Sequence, residues 1–434
     1  VTLRLFGRLA DLPPAEVDLV ARRGRPPGAA PFPDVSPIER DVAERGDAAL
    51  LDLAARFDQA KLDALEVPRE RWKEAEARVG AGVLDALHAA KANVERFHRA
   101  CLPAPIEIEV VRGLMAGRRV VPHHRVGVYV PGGRAAYPST VLMTVVPARV
   151  AGVREVVVCT PPGPDGRVSD ATLAACSIAG ADRVFAAGGA AAVFAMARGT
   201  ASVPRCGKIV GPGNAWVAAA KARVAGEVAI DAPAGPSEVL VLADAHASAP
   251  LAAREMIAQA EHDPDAAAVA VTTSAEVAAA IRDELDARLK EGLPRGDVVK
   301  AALAARGAVL VAEDEPAMLA FSDRYAPEHV VLLTREPRVT LSRLHDYGSA
   351  FLGPWSSVAT GDYVAGPNHV LPTMGLARAY SPLGVEDFLR RPTHQAATRE
   401  ALGALAPLVE MLARLEGLPN HAAAVRSRHA EEAP

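Results

Sequence analysis

The chain predicts an α/β fold: two incomplete Rossmann-like, doubly wound units with helical N-terminal and C-terminal extensions. Three observations carry that expectation. Hydrophobic residues make up 50% of the 434 positions but aromatics only 4%, so the core must be built mostly from Ala, Val and Leu, which suits helices packed on parallel strands. From about Val110, Val-rich runs alternate with Ala-rich helical patterns in RVGVYV, STVLMTVVPARVAG, VREVVVCT, DATLAACSIAG and RVFAAGG, the β-α-β alternation of a parallel sheet. A second set follows in EVLVLAD, PLAAREMIAQAEH, AAVAVTT, AAIRDELDARL, AVLVA and HVVLL, so a second α/β unit succeeds the first.

In chain order, residues 1–110 read as an N-terminal arm and amphipathic helices. The stretch RRGRPPGAAPFP, rich in Pro, Gly and Arg, reads as a linker or loosely ordered arm. Between Pro37 and about Leu102, apolar residues recur at three-to-four spacing among many charges, which predicts two amphipathic helices. Residues 111–236 form the first α/β unit and 237–382 the second. After Leu383 the strand signal vanishes, and residues 383–434 read as a helical tail broken at Pro392, Pro407 and Pro419. Such a tail cannot bury its apolar face alone. It is expected to lie against its own protomer or a second copy, which favours a homodimer.

Composition excludes several function classes. The net charge is −4, with Lys and Arg scattered along the chain, so there is no electrostatic footprint of a nucleic-acid binder. No apolar run reaches the roughly 18 residues that span a bilayer. The opening VTLRLFGRLADLPP lacks the apolar region and cleavage site of a secretory signal, so the expectation is a cytoplasmic protein with a small-molecule partner. Cys101, Cys159, Cys176 and Cys206 form no C-x-x-C pair and are assigned no chemistry.

Several segments bear residue types that move protons or bind metals. In IAQAEHDPDA, Gln259 and His262 stand three positions apart on an expected helix, one turn apart on one face. That spacing can seat a metal ion, or the pair can simply be solvated near a helix end. Glu328 and His329 in RYAPEHVVLL precede an apolar strand. There they can serve as proton carriers at a sheet edge or merely open a solvated strand. In GDYVAGPNHVLPT, Asp362 and His369 flank Gly366, Pro367 and Asn368, a turn-rich stretch that fits an active-site loop. In EGLPNHAAAV, Glu416 and His421 lie across a Pro-Asn turn that can also be a plain helix break. The G-x-G-x-x-G fingerprint is absent after the first strand of either unit. Two glycine turns remain, at Gly132–Gly133 and at Gly211-Pro212-Gly213-Asn214. The second opens a helix whose N-terminus can receive a phosphate or polar cofactor group, or it is an ordinary strand-to-helix turn.

Taken together, VGVYVPGG, GPGNAWV, DAPAGPSEVLVLAD, AQAEHDPDA, GSAFLGPW, GDYVAGPNHVLPT and EGLPNH resemble the histidinol dehydrogenase family in order and spacing over nearly the whole chain. The resemblance implies four-electron oxidation of L-histidinol to L-histidine through a bound aldehyde, with one Zn2+ per subunit and two NAD+, in histidine biosynthesis. It implies Gln259, His262, Asp362 and His421 as zinc ligands, with His421 completing the site of the other protomer in a homodimer with shared active sites. Ser237, His369 and Glu416 are implied as substrate contacts beside these groups and the catalytic pair. His329 is implied as the base that takes the alcohol proton, and Glu328 as the group that activates water against the aldehyde. Tyr129 and Asn214 are the implied NAD contacts. The first α/β unit is thus the expected cofactor side, the second the zinc and catalytic side, and the tail a contributor to the partner.

Two departures stand out. The family commonly has Gly-Gly-Ala-Gln where this chain has Gly188-Gly189-Ala190-Ala191, so a glutamine expected at the cofactor is missing. Met374 stands where a glycine is more usual. The nearest rival reading is a related dehydrogenase for another small alcohol, such as a sulfonated diol. Retention of Glu416 with Leu418-Pro419-Asn420-His421 speaks for histidinol, whose amine and imidazole those residues would hold. A non-catalytic scaffold on the same fold would have no reason to keep Glu328, His329 and all four implied ligands.

Overall fold

The computed structural model describes residues 3–25, 32–132, 136–233 and 235–430. Gly133 of the expected cofactor turn and residues 26–31 of the expected linker lie outside them. The chain forms two compact units, Val1–Cys101 with His123–Phe388, and Leu102–Pro122 with Leu389–Pro434.

The N-terminal region supplies strand β1 (Leu5–Arg8) and helices α1 (Pro14–Ala21), α2 (Ser36–Arg45), α3 (Asp47–Leu53), α4 (Arg69–Val79) and α5 (Ala81–Ala100). The two helices expected after Pro37 are therefore four, broken at Gly46 and Gly80, both at positive φ. Helix α3 runs on into a π-helical turn, Ala54–Asp58. Next come β2 (Ile106–Val111), β3 (Leu114–Arg118) and β4 (Val121–Pro122). Strands β5 (Arg125–Tyr129), β6 (Glu155–Thr160), β7 (Arg183–Ala186), β8 (Lys208–Val210) and β9 (Ala229–Ile230) then alternate with α6 (Pro138–Val150), α7 (Asp170–Ala179), α8 (Gly189–Arg198) and α9 (Ala215–Val224). Strands β10 (Glu238–Ala243), β11 (Ala267–Thr272), β12 (Gly307–Val311), β13 (His329–Leu333) and β14 (Ser349–Leu352) follow. They are interleaved with α10 (Ala249–Ala260), α11 (Ala275–Glu291), α12 (Gly296–Arg306), α13 (Glu315–Tyr325) and α14 (Pro337–Leu341), and α15 (Val358–Tyr363) comes after β14. The described chain closes with β15 (Leu389–Arg390), β16 (Thr393–Ala397), α16 (Arg399–Leu415) and α17 (Pro419–Ala430).

In the larger unit, five parallel strands stand in the order β7-β6-β5-β8-β9 and six in the order β1-β12-β11-β10-β13-β14. Both are α/β sheets of the expected kind. Their central strands are buried on both faces, and alternate residues feed opposite layers: Val239 and Val241 pack on one side of the second sheet, Leu240 and Leu242 on the other. Strand β1 was not expected. It extends the edge of the second sheet beside β12, pairing Leu5 with Ala308, so residues 5–8 are part of that sheet.

In the smaller unit, β16-β3-β2 form an antiparallel sheet and β15 pairs with β4. The segment after Leu383 is thus not purely helical. Pro407 lies inside α16 and does not end it. Helix α16 exposes Leu408, Met411, Leu412 and Leu415, the last 83% accessible, on one face by their three-to-four spacing. Among the described residues, no helix is long and apolar enough to cross a membrane.

Candidate active site

In the second sheet the chemistry-bearing residues gather at the N-terminal ends of the strands. Glu328 and His329 open β13, Ser237 precedes β10, and Gln259 ends α10, which returns antiparallel to the strands. This is the opposite edge from the one where open α/β sheets usually take ligands. The backbone of Glu328 is clamped by the chain entering β14, where Ser349 N–H donates to its carbonyl at 2.8 Å. A Cβ at Gly348 would lie 2.5 Å from that oxygen, so only glycine lets the two segments approach.

Glu328 and His329 are both nearly inaccessible, at 4% and 3%. The His329 Nδ1 lies 3.0 Å from the backbone carbonyl of Glu238. A carbonyl only accepts, so Nδ1 carries the proton in the neutral ring and Nε2 holds the free lone pair. That Nε2 is buried without a hydrogen-bond partner and points at Asp362, 3.7 Å away. Burial alone would lower the His329 pKa, but the charges of Glu328 and Asp362 outweigh it and hold the ring well above its ordinary value. Glu328 accepts from Glu238 N–H at 2.7 Å. Burial dominates its titration and holds the carboxyl above the usual range, against the opposing pull of His329.

Asp362 is the hub of the remaining candidates. Burial opposes its charge, but neighbouring His329, His369 and His262 prevail and keep its pKa low. His369 donates from Nδ1 to the Asp362 carbonyl at 2.7 Å. Its Nε2 then accepts from Thr140 Oγ1 at 3.2 Å, and burial holds the ring neutral by lowering its pKa. Gln259 is 2% accessible and its Nε2 has no partner, although a buried amide is normally hydrogen-bonded. The His262 side chain is exposed. Among the described residues, no three His, Cys, Asp or Glu side chains are gathered closely enough to hold a metal by themselves. Glu416 and His421 belong to the smaller unit, at the C-terminal cap of α16 and near the start of α17, both exposed.

The expected cofactor residues lie at the C-terminal edge of the first sheet. Chain order turns outward in both directions between β5 and β8, the switch point where such sheets bind ligands. Tyr129 ends β5 there, with its hydroxyl accepting from Gly189 N–H at 3.1 Å; burial pushes its pKa up to about 12. Across the switch point Asn214 caps α9, its Oδ1 accepting from Trp216 N at 3.0 Å and Val217 N at 3.2 Å. The turn before it is braced by buried Lys221, which donates to the Gly211 carbonyl at 2.9 Å and pairs with Asp231. Ala191 is buried in the first turn of α8. The Thr140–His369 bond, together with the Asn368 side chain on the Met143 carbonyl, ties helix α6, which leaves this edge, to the loop after α15, the helix that carries Asp362.

A profile of the histidinol dehydrogenase family matches residues 28–429. A histidinol dehydrogenase of Methanothermobacter thermautotrophicus is 48% identical over 91% of this chain and 92% of its own length. One from Methanosarcina mazei is 45% identical over 98% of both. The crystal structure of the histidinol dehydrogenase of Elizabethkingia anophelis superposes with a TM-score of 0.92 at 33% identity, covering 98% of each chain. The chain belongs to the histidinol dehydrogenase family. Membership makes it an oxidoreductase of histidine biosynthesis.

Several residues at the edges of the candidate site carry little signal in the sequence. Glu238 was visible only as the charged first residue of the buried run EVLVLA, a pattern that demands a partner. Its partner, Arg23, lay in the stretch read as a loose linker, yet it is 7% accessible. That part of the reading is corrected: the arm as far as Arg23 is packed, because a buried guanidinium needs acceptors and finds them here. Thr140 and Asp58 carried no sequence signal. Cys159, Cys176 and Cys206 are buried free thiols and Cys101 an exposed one.

Proposed function

We propose that this chain oxidises L-histidinol to L-histidine in two hydride-transfer steps, with His329 and Glu328 as its proton carriers. The observation that carries the reading is the buried, partnerless Nε2 of His329 beside Asp362, a ring nitrogen placed to take up and release a proton within a polar cluster. In the first step His329 Nε2 takes the hydroxyl proton of histidinol as the carbinol C–H leaves with its electron pair, and the carbonyl of histidinaldehyde forms. In the second, Glu328 takes a proton from water as its oxygen bonds to the aldehyde carbon. His329, its first proton released to solvent, then takes the remaining O–H proton as the gem-diol monoanion loses its C–H hydride, and the carboxylate of histidine remains. Ser237, His369 and Glu416 of the partner subunit are assigned to holding the substrate.

Gln259, His262 and Asp362 fit one zinc ion. The Gln259 amide oxygen, an exposed imidazole and a carboxylate held in its charged form suit a borderline cation, and three ligands leave a position for His421 of the partner subunit. The exposed apolar face of α16 supports a homodimer. Tyr129 and Asn214 at the switch point are assigned to NAD+. When bound, zinc supplies a charge that orients the substrate amine and imidazole, and NAD+ supplies the hydride acceptor, used twice. The reading places the enzyme in the cytoplasm.

The test is a stoichiometric titration: L-histidinol with excess NAD+, NADH absorbance followed to completion, then repetition after chelation and zinc restoration. Two NADH per histidinol, lost on chelation and regained with zinc, is the expected result. No NADH from histidinol would overturn it.

A further inference from the structure

Resting on the roles just assigned to Glu328 and His329, we propose that Arg23, acting through Glu238, is a positioning residue for the Glu328 carboxylate in the aldehyde-oxidising half of the reaction. The guanidinium of Arg23 meets Glu238 through two parallel bonds, Nε to Oε2 at 2.7 Å and Nη2 to Oε1 at 2.6 Å. It lies 3.6 Å above the ring of Tyr325 and donates from Nη1 to the Ala21 carbonyl at 2.7 Å and from Nη2 to the Ala326 carbonyl at 3.2 Å. Glu238 is 1% accessible. A bidentate pair so buried is rigid in direction as well as position.

Glu238 passes that rigidity on. Its Oε1 accepts from Glu328 N–H at 3.2 Å, while its own N–H donates to Glu328 Oε2 at 2.7 Å. Its backbone carbonyl accepts from His329 Nδ1. One residue thus fixes the backbone and carboxylate of Glu328 and the tautomer of its neighbour. Glu238 Oε2 also accepts from Met374 N–H at 3.3 Å, so the loop after His369 is held by the same carboxylate. The backbone around the pair is unusual. Arg23, Ala326 and Met374 all have positive φ, at 55°, 49° and 60°, and non-glycine residues stay there only when their surroundings over-determine them. Met374 packs its side chain over Gly235, where a Cβ would come within 2.6 Å of its sulfur. These contacts join the turn before Ser237, the start of β13 and the loop after His369 in one node centred on Arg23 and Glu238.

Removing Arg23 leaves a buried carboxylate without its cation, and such a group rotates or takes up a proton. Either change releases Glu328 N–H, so the backbone that carries the Glu328 carboxylate is no longer pinned and the carboxylate is left with the Glu238 backbone N–H alone. His329 keeps its carbonyl anchor, because that bond uses the Glu238 backbone. The two half-reactions should therefore respond unequally.

The experiment compares Arg23→Met and Arg23→Lys with the wild type, using L-histidinol and L-histidinaldehyde as separate substrates and a carbonyl trap to catch released aldehyde. For Arg23→Met the expected result is about a ten-fold loss of kcat on the aldehyde, a smaller loss on the alcohol, little change in KM and an NADH yield below two per histidinol. Arg23→Lys, which keeps the charge but not the fork, should recover part of the loss. Glu238→Gln serves if Arg23→Met does not fold, with the same unequal effect expected. Equal losses in both half-reactions, or no loss, would overturn the proposal and leave the pair a purely structural one. Glu328→Gln separates this idea from the one it rests on. If that variant oxidises the aldehyde normally, the role given to Glu328 is wrong; if it is slow while the Arg23 and Glu238 variants are not, only the positioning role falls.

Discussion

The Nδ1 of His329 and the backbone carbonyl of Glu238 stand 3.0 Å apart, and this one bond decides which ring nitrogen can act as a base. Because Nδ1–H donates to the carbonyl, Nε2 is the nitrogen that faces Asp362 without a proton in the neutral ring. His329→Asn removes the base while keeping a side-chain donor for the carbonyl. The expected outcome is a fall in kcat on histidinol of about 10² to 10⁴ with KM changed far less, measured by steady-state NADH production. A comparable rise in KM with kcat intact would assign His329 to binding.

The proposed sharing of sites between subunits makes a prediction that no single-chain arrangement makes. Gln259→Ala and His421→Ala are each expected to lose zinc and activity. Co-refolded in equal amounts, they should regain about a quarter of wild-type activity, since half the dimers are mixed and each mixed dimer carries one intact site. Metal content and rate on the mixture check this; a mixture as inactive as its parents would argue for sites built within one chain.

Ala191 lies 5% accessible in the first turn of α8, two residues beyond the Gly189 N–H that Tyr129 accepts. Helix α8 starts at the C-terminal edge of the first sheet, where NAD+ is assigned, so a glutamine in place of Ala191 starts one turn from that edge. Ala191→Gln is expected to lower the KM for NAD+ severalfold, with a modest loss of thermal stability from overpacking of about 1–3 kcal/mol. An unchanged KM would show that the missing glutamine is irrelevant to cofactor binding in this chain.

Asp58 ends the π-helical turn after α3 and reaches the same edge, where a Cβ at Gly188 would lie 3.3 Å from its Oδ2 and 2.7 Å from Pro161 Cβ. Burial raises its pKa from 3.8 to about 6. A carboxyl whose folded pKa exceeds its unfolded one costs nothing below pH 3.8. Its destabilising effect grows as pH rises to about 6 and is complete above that. Asp58→Asn should therefore stabilise the protein at pH 8 and leave it unchanged near pH 3.5. The gain at pH 8, discounted because the group is half exposed, is about 1 kcal/mol. Denaturant titrations at the two pH values decide it, and equal effects at both would rule out the assigned cause.

The periodic parts of the fold were legible in the residues alone. Runs such as EVLVLA and HVVLL are buried on both faces and long enough for a central strand, and their alternation with Ala-rich helices leaves few topologies open. The short antiparallel strands β2, β3 and β16 carry little signal because none has a buried apolar face: β2 alternates apolar and acidic residues in IEIEVV yet is exposed throughout, as is β16, and β3 is half-buried. Strand β1 was missed because a four-residue edge strand with alternating half-burial is too short to be periodic.

The sequence by itself determined the β-α-β order, the family and the side chains available for proton transfer, because these depend on local pattern and on motifs read in a line. Tertiary structure alone decided that the candidate residues use the C-terminal edge of one sheet and the N-terminal edge of the other, that His329 offers Nε2, and that Arg23 is buried against Glu238. The Arg23–Glu238 bonds join positions 215 apart in the chain. A buried charge declares its need for a partner in the sequence, but only packing says which distant group meets it.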